Sequence, residues 1–255
     1  MTLIIEPIKN FPLVEVGQSL VELLMNCFHQ MEYEIEDGDI IVIAQKVISK
    51  SENRYRNLSE VQPSSQALKL SEEIGKDPRL VELILQESNS VLRTRPGTII
   101  VEHRLGFICA NAGIDHSNVK QIDEKSEERV LLLPEDPDRS ANEIKTGIFE
   151  KTNKDVGVLI IDSHGRAWRN GTVGTTIGLA GVPGVVDMRG KEDLFGYKLK
   201  VTTIAVADDL AAAASLLMGE AAEATPVVIV RGFPYALRES SLNELIRPKE
   251  LDLFR

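Results

Sequence analysis

Three acidic residues follow apolar segments and lie beside glycines or small polar residues. Asp115 falls within residues 111–118, Asp162 follows the apolar run 156–161, and Glu220 comes just after an alanine-rich stretch. Hard divalent cations such as Mg²⁺ and Mn²⁺ take oxygen ligands, and roughly one or two carboxylates per ion suffice where phosphates complete the shell. These residue types therefore allow an oxygen-ligated metal site if the fold brings the three acids together.

Plainer explanations exist for the same residues, and spacing alone leaves both open. Asp and Asn next to Gly or Ser after a strand commonly form turns and caps. His116 and His164 suit turn or surface positions more often than acid–base roles. Without a fold, the sequence supports a possible metal site and no more.

Two groups of basic residues accompany the acids. Arg166 and Arg169 flank Trp168, which suits either a phosphate clamp with an aromatic support or a solvated basic turn. Lys46 and Lys50 are four residues apart after an apolar run, and they form either a phosphate-binding pair or a solvated helix face. Both alternatives stay open for both groups.

The overall charge excludes one class of partner. Lys and Arg number 29 against 39 Asp and Glu in 255 residues, which gives a net charge of −10 and a pI near 5.0. Sequence-independent binding to nucleic acid needs a basic surface that displaces counterions from phosphates. We therefore expect no nucleic-acid partner, whereas a single nucleotide stays compatible with this charge because a metal or a few local donors can hold its phosphates.

The apolar segments and the cysteines indicate the cellular compartment in which the protein resides. The longest apolar stretches are strand-sized, whereas a membrane-spanning helix needs roughly 20 residues. The N-terminus lacks the basic region and apolar core of a signal peptide. Cys27 and Cys109 lie in apolar patterns without a CxxC motif, which is typical of a reducing compartment. We expect a cytoplasmic protein without membrane contact.

Hydrophobic periodicity predicts the elements that would position these residues. A strand over 39–43 has the continuous apolar character of a strand covered on both faces. The stretch from Gly171 to Gly190 contains six glycines, counting both ends, which predicts turns and close backbone approach there, and the charged tail from Arg238 onward is predicted to be peripheral. Helices are predicted over 20–27 with Ser19 as cap, over 65–74 and 77–86, after a cap at Asp138 or Ser140, and over 207–218 before Gly219. The other strands are predicted at 3–5, 98–102, 106–110, 156–161, 200–206 and 226–230.

The irregular alternation of these elements predicts an α+β fold, with mixed sheets and flanking helices, rather than a doubly wound sheet. The chain has neither GxxxxGK[ST] nor GxGxxG after a strand, so we expect neither a P-loop nor a Rossmann fold. HExxH and GxSxG are missing too, which argues against a zincin or a serine esterase. The length is that of one large domain or of two interlocked halves.

Long motifs throughout the chain resemble, in the same order, those of the coenzyme F420-0:L-glutamate ligase (F420-0:gamma-glutamyl ligase) family. The resemblance extends from about Phe11 to Gly232. The motifs are GDIIVIAQKVISKSE, GFICANAGIDHSNV, LLPEDPDRSA, VGVLIIDSHGRAWRNGTVGTTIGLAG, RGKEDLFGYKLKVTTIAVADDLAAAASLLMGE and PVVIVRG. Several long motifs in register are far more specific than one short fingerprint.

The resemblance implies a GTP-dependent ligase of coenzyme F420 biosynthesis. Such an enzyme adds L-glutamate to F420-0 and then γ-linked glutamate to F420-1 through an acyl phosphate, releasing GDP and phosphate. It also implies two divalent cations, Mg²⁺ or Mn²⁺, K⁺ as an activator, and an intertwined homodimer with a family-specific fold. The alternatives are a related GTP- and metal-dependent amide ligase acting on another carboxylate, or a non-catalytic nucleotide-binding module.

One ligase domain over residues 1–255 is the organisation that the resemblance implies, with two interlocked subdomains as the alternative. Mycobacterial-type relatives carry a C-terminal nitroreductase-like domain, which we do not expect here.

The resemblance also implies roles for individual residues. Asp115, Asp162 and Glu220 match catalytic metal ligands, and Ser163 matches a further ligand where some relatives have threonine. The matching GTP contacts are Phe11, Pro12, Leu13, Val14, Gln45, Lys46, Lys50, Asn118, Met218, Gly219 and Ala221.

Overall fold

A computed structural model of the chain describes residues 2–119 and 128–253. The strands are β1 (Ile4–Pro7), β2 (Ile40–Ala44), β3 (Tyr55–Asn57), β4 (Ser88–Arg95), β5 (Thr98–His103), β6 (Ile108–Ala110), β7 (Arg129–Leu131), β8 (Gly157–Gly165), β9 (Thr172–Ala180), β10 (Val186–Asp187), β11 (Thr203–Ile204) and β12 (Val227–Arg231). The helices are α1 (Leu20–Gln30), α2 (Gln45–Ser51), α3 (Ser65–Ile74), α4 (Pro78–Gln86), α5 (Pro137–Thr152) and α6 (Val206–Met218).

The largest sheet has five strands in the order β1-β12-β2-β8-β9. Only β2 and β8 pair in parallel, and the other neighbours are antiparallel. Ala44 at the end of β2 pairs with Ile161 of β8. Because both strands run the same way, the residues that follow Ala44 and those that follow Ile161 meet at one edge of the sheet. This parallel pair positions the candidate site.

Both faces of this sheet are buried, which explains the continuous apolar runs in β2, β8 and β12. Ile41 and Ile43 join one core with residues of α1 and α5. Ile40 and Val42 join a second core with residues of α6. Alternate side chains of a strand point to opposite faces, so a strand covered on both sides must be apolar at every position. The prediction of a doubly covered strand is confirmed.

A third core lies under the smaller sheets. It combines α3 and α4 with the three-stranded sheet β4-β5-β6 and with Val130 of β7. Phe107, just before β6, packs against this core and against both cores of the large sheet. The architecture is therefore α+β with mixed sheets, as the sequence predicted.

Most predicted helix boundaries are confirmed by local hydrogen bonds. Ser19 caps α1 by accepting from the amide of Glu22, and α4 begins at Pro78. The prediction for α5 is wrong, because Asp136 is its cap and accepts from the amide of Arg139. Pro137 then occupies the first helical position, where the missing N–H costs nothing.

Asp138 and Ser140, the two residues predicted to cap α5, have other partners. Asp138 accepts hydrogen bonds from the amides of Leu179 and Leu242, and the Ser140 hydroxyl donates to Glu52. Asp138 thus ties α5 to β9 and to the C-terminal segment.

The glycine-rich stretch after Gly171 contains a long strand, β9, rather than only turns. A Cβ at Gly174 would clash with the carbonyl oxygen of Ala211 and lie 2.7 Å from the Ser215 Cβ. Glycine is therefore required there by the close approach of α6, and not by a turn. The predicted close backbone approach is confirmed at Gly174, whereas the prediction of turns is wrong for 172–180.

Two further predictions need correction. The strand predicted over 200–206 is reduced to Thr203–Ile204, because Val206 already begins α6. The tail is not wholly peripheral, since Leu242 is buried and Arg238 pairs with Glu244. No helix in the described ranges is long and apolar enough to cross a membrane.

Candidate functional site

A cavity of about 420 Å³ opens beside the large sheet, where β2 ends next to residues 161–163 of β8. This is a common size for a small-molecule site. Four segments surround it: the loop 11–14, the start of α2, residues 161–163 within β8 and the loop after α6. It is lined by Phe11, Pro12, Leu13, Val14, Ala44, Gln45, Lys46, Val47, Lys50, Asn118, Ile161, Asp162, Ser163, Ser215, Met218, Gly219, Glu220, Ala221, Ala222, Glu223, Ala224, Thr225 and Pro226.

The cavity brings together residues that are far apart in the chain. Every residue that the resemblance matched to a GTP contact lines it, as do the matched metal ligands Asp162, Ser163 and Glu220. Asp115 does not line the cavity, but its carboxylate contacts Gln45 and Lys46, which do. The fold therefore brings all predicted site residues together at or beside this cavity. Their individual roles stay predictions.

Gln45 is a buried link between α2 and Asp115. Its Nε2 donates to Asp115 Oδ2 at 2.7 Å, and its Oε1 accepts from the Ser49 hydroxyl at 2.8 Å. Both ends of the amide are thus satisfied, which fixes its orientation. A polar residue this deeply buried at a strand end positions a neighbour instead of facing solvent.

The two lysines of α2 differ in their partners. Lys46 Nζ lies 3.3 Å from Asp115 Oδ2 and donates to the Ser117 hydroxyl. Lys50 lines the same cavity, but within the described ranges it has no carboxylate at ion-pair distance. Burial and the charge of Lys46 lower the pKa of Lys50, with Asp115 opposing the shift. A partly buried ammonium group in this setting favours an anion in the cavity.

Asp115 is held by its backbone as well as by its side chain. Its N–H and C=O exchange hydrogen bonds with Leu131 of β7, both at 2.9 Å. Burial raises the pKa of Asp115 to about 6, with Lys46 opposing the rise and the negative charge of Asp162 adding to it. A carboxylate whose pKa is raised by burial and by a second carboxylate nearby lies where a bound cation would be favoured.

Asp162 and Ser163 lie within β8, and not after it as the sequence suggested. The pairing of β8 with β9 shifts register between Ile160 and Ile161, just before these residues. Such an irregularity re-aims the side chains that follow it. The polar side chains of β8 at the cavity follow directly after this register shift.

The carboxylate of Asp162 is held by a neighbouring histidine. His164 Nε2 lies 3.0 Å from Asp162 Oδ2, and both side chains are largely buried. Burial alone would raise the pKa of Asp162, but the hydrogen bond and charge of His164, the amide of Ser163 and the charge of Lys46 together outweigh it and hold the pKa below its usual value. Asp162 is therefore ionised at neutral pH.

Ser163 connects β8 to the loop after α6. Its hydroxyl is within donating distance of both carboxylate oxygens of Glu220, at 2.7 and 2.9 Å. Asn118 Nδ2 donates to the carbonyl of Ala221 at 3.1 Å, so the same loop is also tied to the segment that follows Asp115. Gly219 ends α6 at φ +71, a backbone conformation that favours glycine.

The oxygen groups fit hard divalent cations in pairs rather than as one cluster. Within the ranges 2–119 and 128–253, no three His, Cys, Asp or Glu side chains converge as one metal-binding group. Asp115 interacts with Asp162, whereas Ser163 contacts Glu220. Two ions with about one or two protein carboxylates each, completed by phosphate oxygens, suit this arrangement.

Sequence reasoning missed the role of His164. It favoured a turn or a surface position, whereas the side chain is only 8% exposed and packs 5.2 Å from the ring of Phe107. Phe107 in turn stacks on His103 at 5.1 Å. The signal available was the i, i+2 spacing from Asp162, which puts both side chains on one face of a strand.

Comparison with known proteins gives the same family as the motifs. Residues 9–232 match the family model described as F420-0:Gamma-glutamyl ligase.

Three relatives illustrate the similarity, and each is described as a coenzyme F420:L-glutamate ligase. The protein of Methanothermobacter thermautotrophicus is 44% identical over 250 residues, which cover 97% of each chain. That of Methanococcus maripaludis is 46% identical over 224 residues, 88% of each chain. That of Methanopyrus kandleri is 44% identical over 258 residues, covering 100% of this chain and 98% of its own.

Proposed function

This chain belongs to the F420-0:gamma-glutamyl ligase family, and from that premise we propose that it is a GTP-dependent ligase that joins L-glutamate to F420-0. The single observation that carries the proposal is the cavity in which Lys50, without a carboxylate partner among the described residues, lies beside acidic oxygen groups. Lysine ammonium groups and carboxylates around one cavity suit a nucleotide whose phosphates contact both the protein and a metal ion. The relatives' descriptions, which name F420 and L-glutamate, supply the substrates.

The nucleotide would enter with its phosphates toward the start of α2. Lys50, and Lys46 once it exchanges its contact with Asp115, meet phosphate oxygens as point charges. The apolar loop 11–14 and the backbone of the loop after α6 line the other sides. The rest of the GTP would pack against these surfaces.

The acidic pairs would hold two divalent cations, Mg²⁺ or Mn²⁺. Asp115 and Asp162 form one donor pair and Ser163 with Glu220 the other. Such ions, when bound, neutralise phosphate charge and align the reacting oxygens. His164 keeps the Asp162 carboxylate ionised and oriented for that contact. K⁺ as a further activator belongs to the same proposal.

The reaction has two chemical steps. An oxygen of the F420-0 carboxylate attacks the γ-phosphorus of GTP, the bond to the bridging oxygen breaks, and GDP leaves. The amine of L-glutamate then attacks the acyl carbon, loses a proton and expels phosphate, which leaves an amide. Because a carboxylate is a poor acyl donor, the first step supplies the leaving group. Repetition on F420-1 would add a γ-linked glutamate. The chain's task is positioning and charge stabilisation.

Mass spectrometry of the reaction tests the proposal. The protein is incubated with F420-0, L-glutamate, Mn²⁺ or Mg²⁺, and either GTP or ATP. We expect a gain of one or more glutamyl units with GTP and an equal release of GDP. F420-0 carrying ¹⁸O in its carboxylate reports the mechanism in the same reaction, because an acyl phosphate passes one labelled oxygen to the released phosphate.

Two other outcomes would contradict the proposal in different ways. Binding of GTP without any glutamyl product would indicate a nucleotide-binding module. GDP release that requires a carboxylate other than F420-0 would indicate a related amide ligase. The sequence left both alternatives open, the nucleotide-binding module and the related amide ligase. This assay distinguishes each of them from ligation of glutamate to F420-0.

We also propose that the protein is a cytoplasmic homodimer. The segment between β10 and β11 exposes Leu194, Phe195 and Val201 at 97%, 95% and 84%. Apolar side chains grouped in this way mark an interaction surface.

The cysteines support the proposed cytoplasmic location. Both are free and buried, and burial raises the pKa of the Cys109 thiol to about 12. Neither cysteine therefore depends on an oxidising compartment.

A further inference from the structure

The Asp115 carboxylate receives its side-chain contacts from the first turn of α2. Gln45 Nε2 donates to Asp115 Oδ2 at 2.7 Å, and Lys46 Nζ lies 3.3 Å from the same oxygen. Among the described residues, Asp115 Oδ1 accepts no hydrogen bond. The carboxylate is therefore oriented through Oδ2, and Oδ1 is the oxygen left for another ligand.

The two contacts differ in their effect on the charge of Asp115. Lys46 carries an ammonium group, which competes with a divalent cation because both are attracted to the same carboxylate. Gln45 is neutral and only 1% exposed. Its amide holds Oδ2 without cancelling the negative charge that a cation requires. Gln45 is therefore the donor that stays in place when a cation binds at Asp115.

Ser49 holds the Gln45 amide in turn. Its hydroxyl donates to Gln45 Oε1 at 2.8 Å, and Ser49 is fully buried. The two residues are four apart in α2, so they lie on the same face of the helix. A buried amide oxygen without a partner is unfavourable. Without this hydroxyl, Gln45 would satisfy its oxygen only by turning toward solvent in the cavity, and Asp115 would lose its neutral donor.

We propose that Ser49 and Gln45 form a relay that positions Asp115 for a divalent cation, an inference that rests on the proposed function. Ser49 fixes the Gln45 amide, the amide fixes Asp115 Oδ2, and Oδ1 is thereby kept for the cation. Hydrogen-bond partners of a metal ligand contribute about 10- to 100-fold to metal affinity. The relay adds to the GTP contact that the resemblance implies for Gln45, and it gives Ser49 a role that the motifs do not indicate.

Binding of Mn²⁺ tests the relay without turnover. Mn²⁺ is titrated into the protein at saturating GDP, and electron paramagnetic resonance measures the free ion. Ser49 does not line the cavity, and we expect Ser49→Ala to raise the Kd for Mn²⁺ about tenfold. Ser49→Thr keeps a hydroxyl and should recover most of that loss. Ser51→Ala is the matched control, because it removes a hydroxyl of the same helix that donates to the carbonyl of Ile48 instead, and it should leave the Kd unchanged.

Kinetics distinguish positioning from a merely structural role. At saturating GTP, F420-0 and glutamate, Ser49→Ala should need about tenfold more Mn²⁺ for its half-maximal rate and reach a maximal rate within about threefold of the wild type. A loss of maximal rate that excess Mn²⁺ does not restore would overturn the proposal. Gln45→Met keeps the length of the side chain but loses both amide contacts, so it should raise the Kd for Mn²⁺ at least as far as Ser49→Ala.

The outcomes separate the relay from the function. An unchanged Mn²⁺ affinity in Ser49→Ala, with glutamyl product formed by the wild type, overturns the relay and leaves the ligase. Mn²⁺ binding that depends on Ser49, in a wild-type protein that forms no glutamyl product, supports the relay and refutes the ligase. A wild-type protein that binds no Mn²⁺ at saturating GDP overturns both the relay and the metal site on which it rests.

Discussion

At the scale of single residues, His103 shows how burial creates pH sensitivity. Its side chain is fully buried, and its Nδ1 accepts from the amide of Leu105, which leaves the proton on Nε2. That Nε2 has no hydrogen-bond partner among the described residues and lies 3.8 Å from Glu87. Burial lowers the pKa of His103 to about 4, despite the opposing charge of Glu87.

This shift predicts a loss of stability in mild acid. The unfolded chain binds a proton at His103 below pH 6.5, whereas the folded protein resists it down to about pH 4. The free energy of unfolding should therefore fall by about 2 kcal/mol between pH 7 and pH 5 on account of this residue. Urea unfolding at both pH values measures it. His103→Gln should lose less stability over that interval, and an equal loss in both proteins would contradict the assignment.

The residues of the site could be predicted only in part. Asp115, Asp162 and Glu220 were suggested by chemistry beside strand and helix ends, and the resemblance pointed to the same acids. The contacts that these acids make could not be predicted, because Gln45 and Asp115 are 70 positions apart and Ser163 and Glu220 are 57 positions apart. Such contacts depend on the whole fold, whereas local patterns report only the next few residues.

At the scale of elements, β9 shows that the glycine content predicted close backbone approach correctly but wrongly predicted turns. Glycine usually marks a turn, but Gly174 and Gly178 face α6 and Pro137, where a side chain has no room. Helix and strand boundaries elsewhere, such as 65–74, followed from caps and periodicity. The glycine content indicated close approach but not which element each glycine would meet, because that depends on the packing of distant segments.

Substitution at Gly174 tests this explanation. Gly174→Ala would force α6 away from the sheet, so we expect a loss of about 1–3 kcal/mol in the free energy of unfolding. Gly165→Ala is the matched control in the same hairpin, because a Cβ there meets nothing within 4 Å. Thermal or urea unfolding compares them. Equal stability of the two variants would mean that the packing of α6 does not require this glycine.

At the scale of the whole molecule, the segment between β10 and β11 is hard to explain in a monomer. Leu194 and Phe195 are almost fully exposed next to each other. A homodimer that covers them would remove that cost. The sequence marked this stretch only as part of a family motif, since periodicity does not show which apolar residues lack cover within one chain.

The homodimer predicts a change in mass when this segment is altered. Leu194→Glu combined with Phe195→Glu places charges where the partner would pack, so light scattering should show a monomer. Leu253→Glu changes an equally exposed leucine, at 90%, in the C-terminal segment and should stay dimeric. A wild-type monomer, or a double variant that stays dimeric, would contradict the placement of the interface.

The central claim is that the carboxylates beside this cavity serve GTP-dependent glutamylation, and Asp162→Asn tests it most directly. Asparagine keeps the size and a hydrogen-bonding oxygen but removes the charge that a divalent cation requires. The measurement is the initial rate of glutamyl-product formation by mass spectrometry, on protein shown to be folded by circular dichroism. We predict a fall of about a hundredfold or more. A folded variant that forms product at near the wild-type rate would contradict the account.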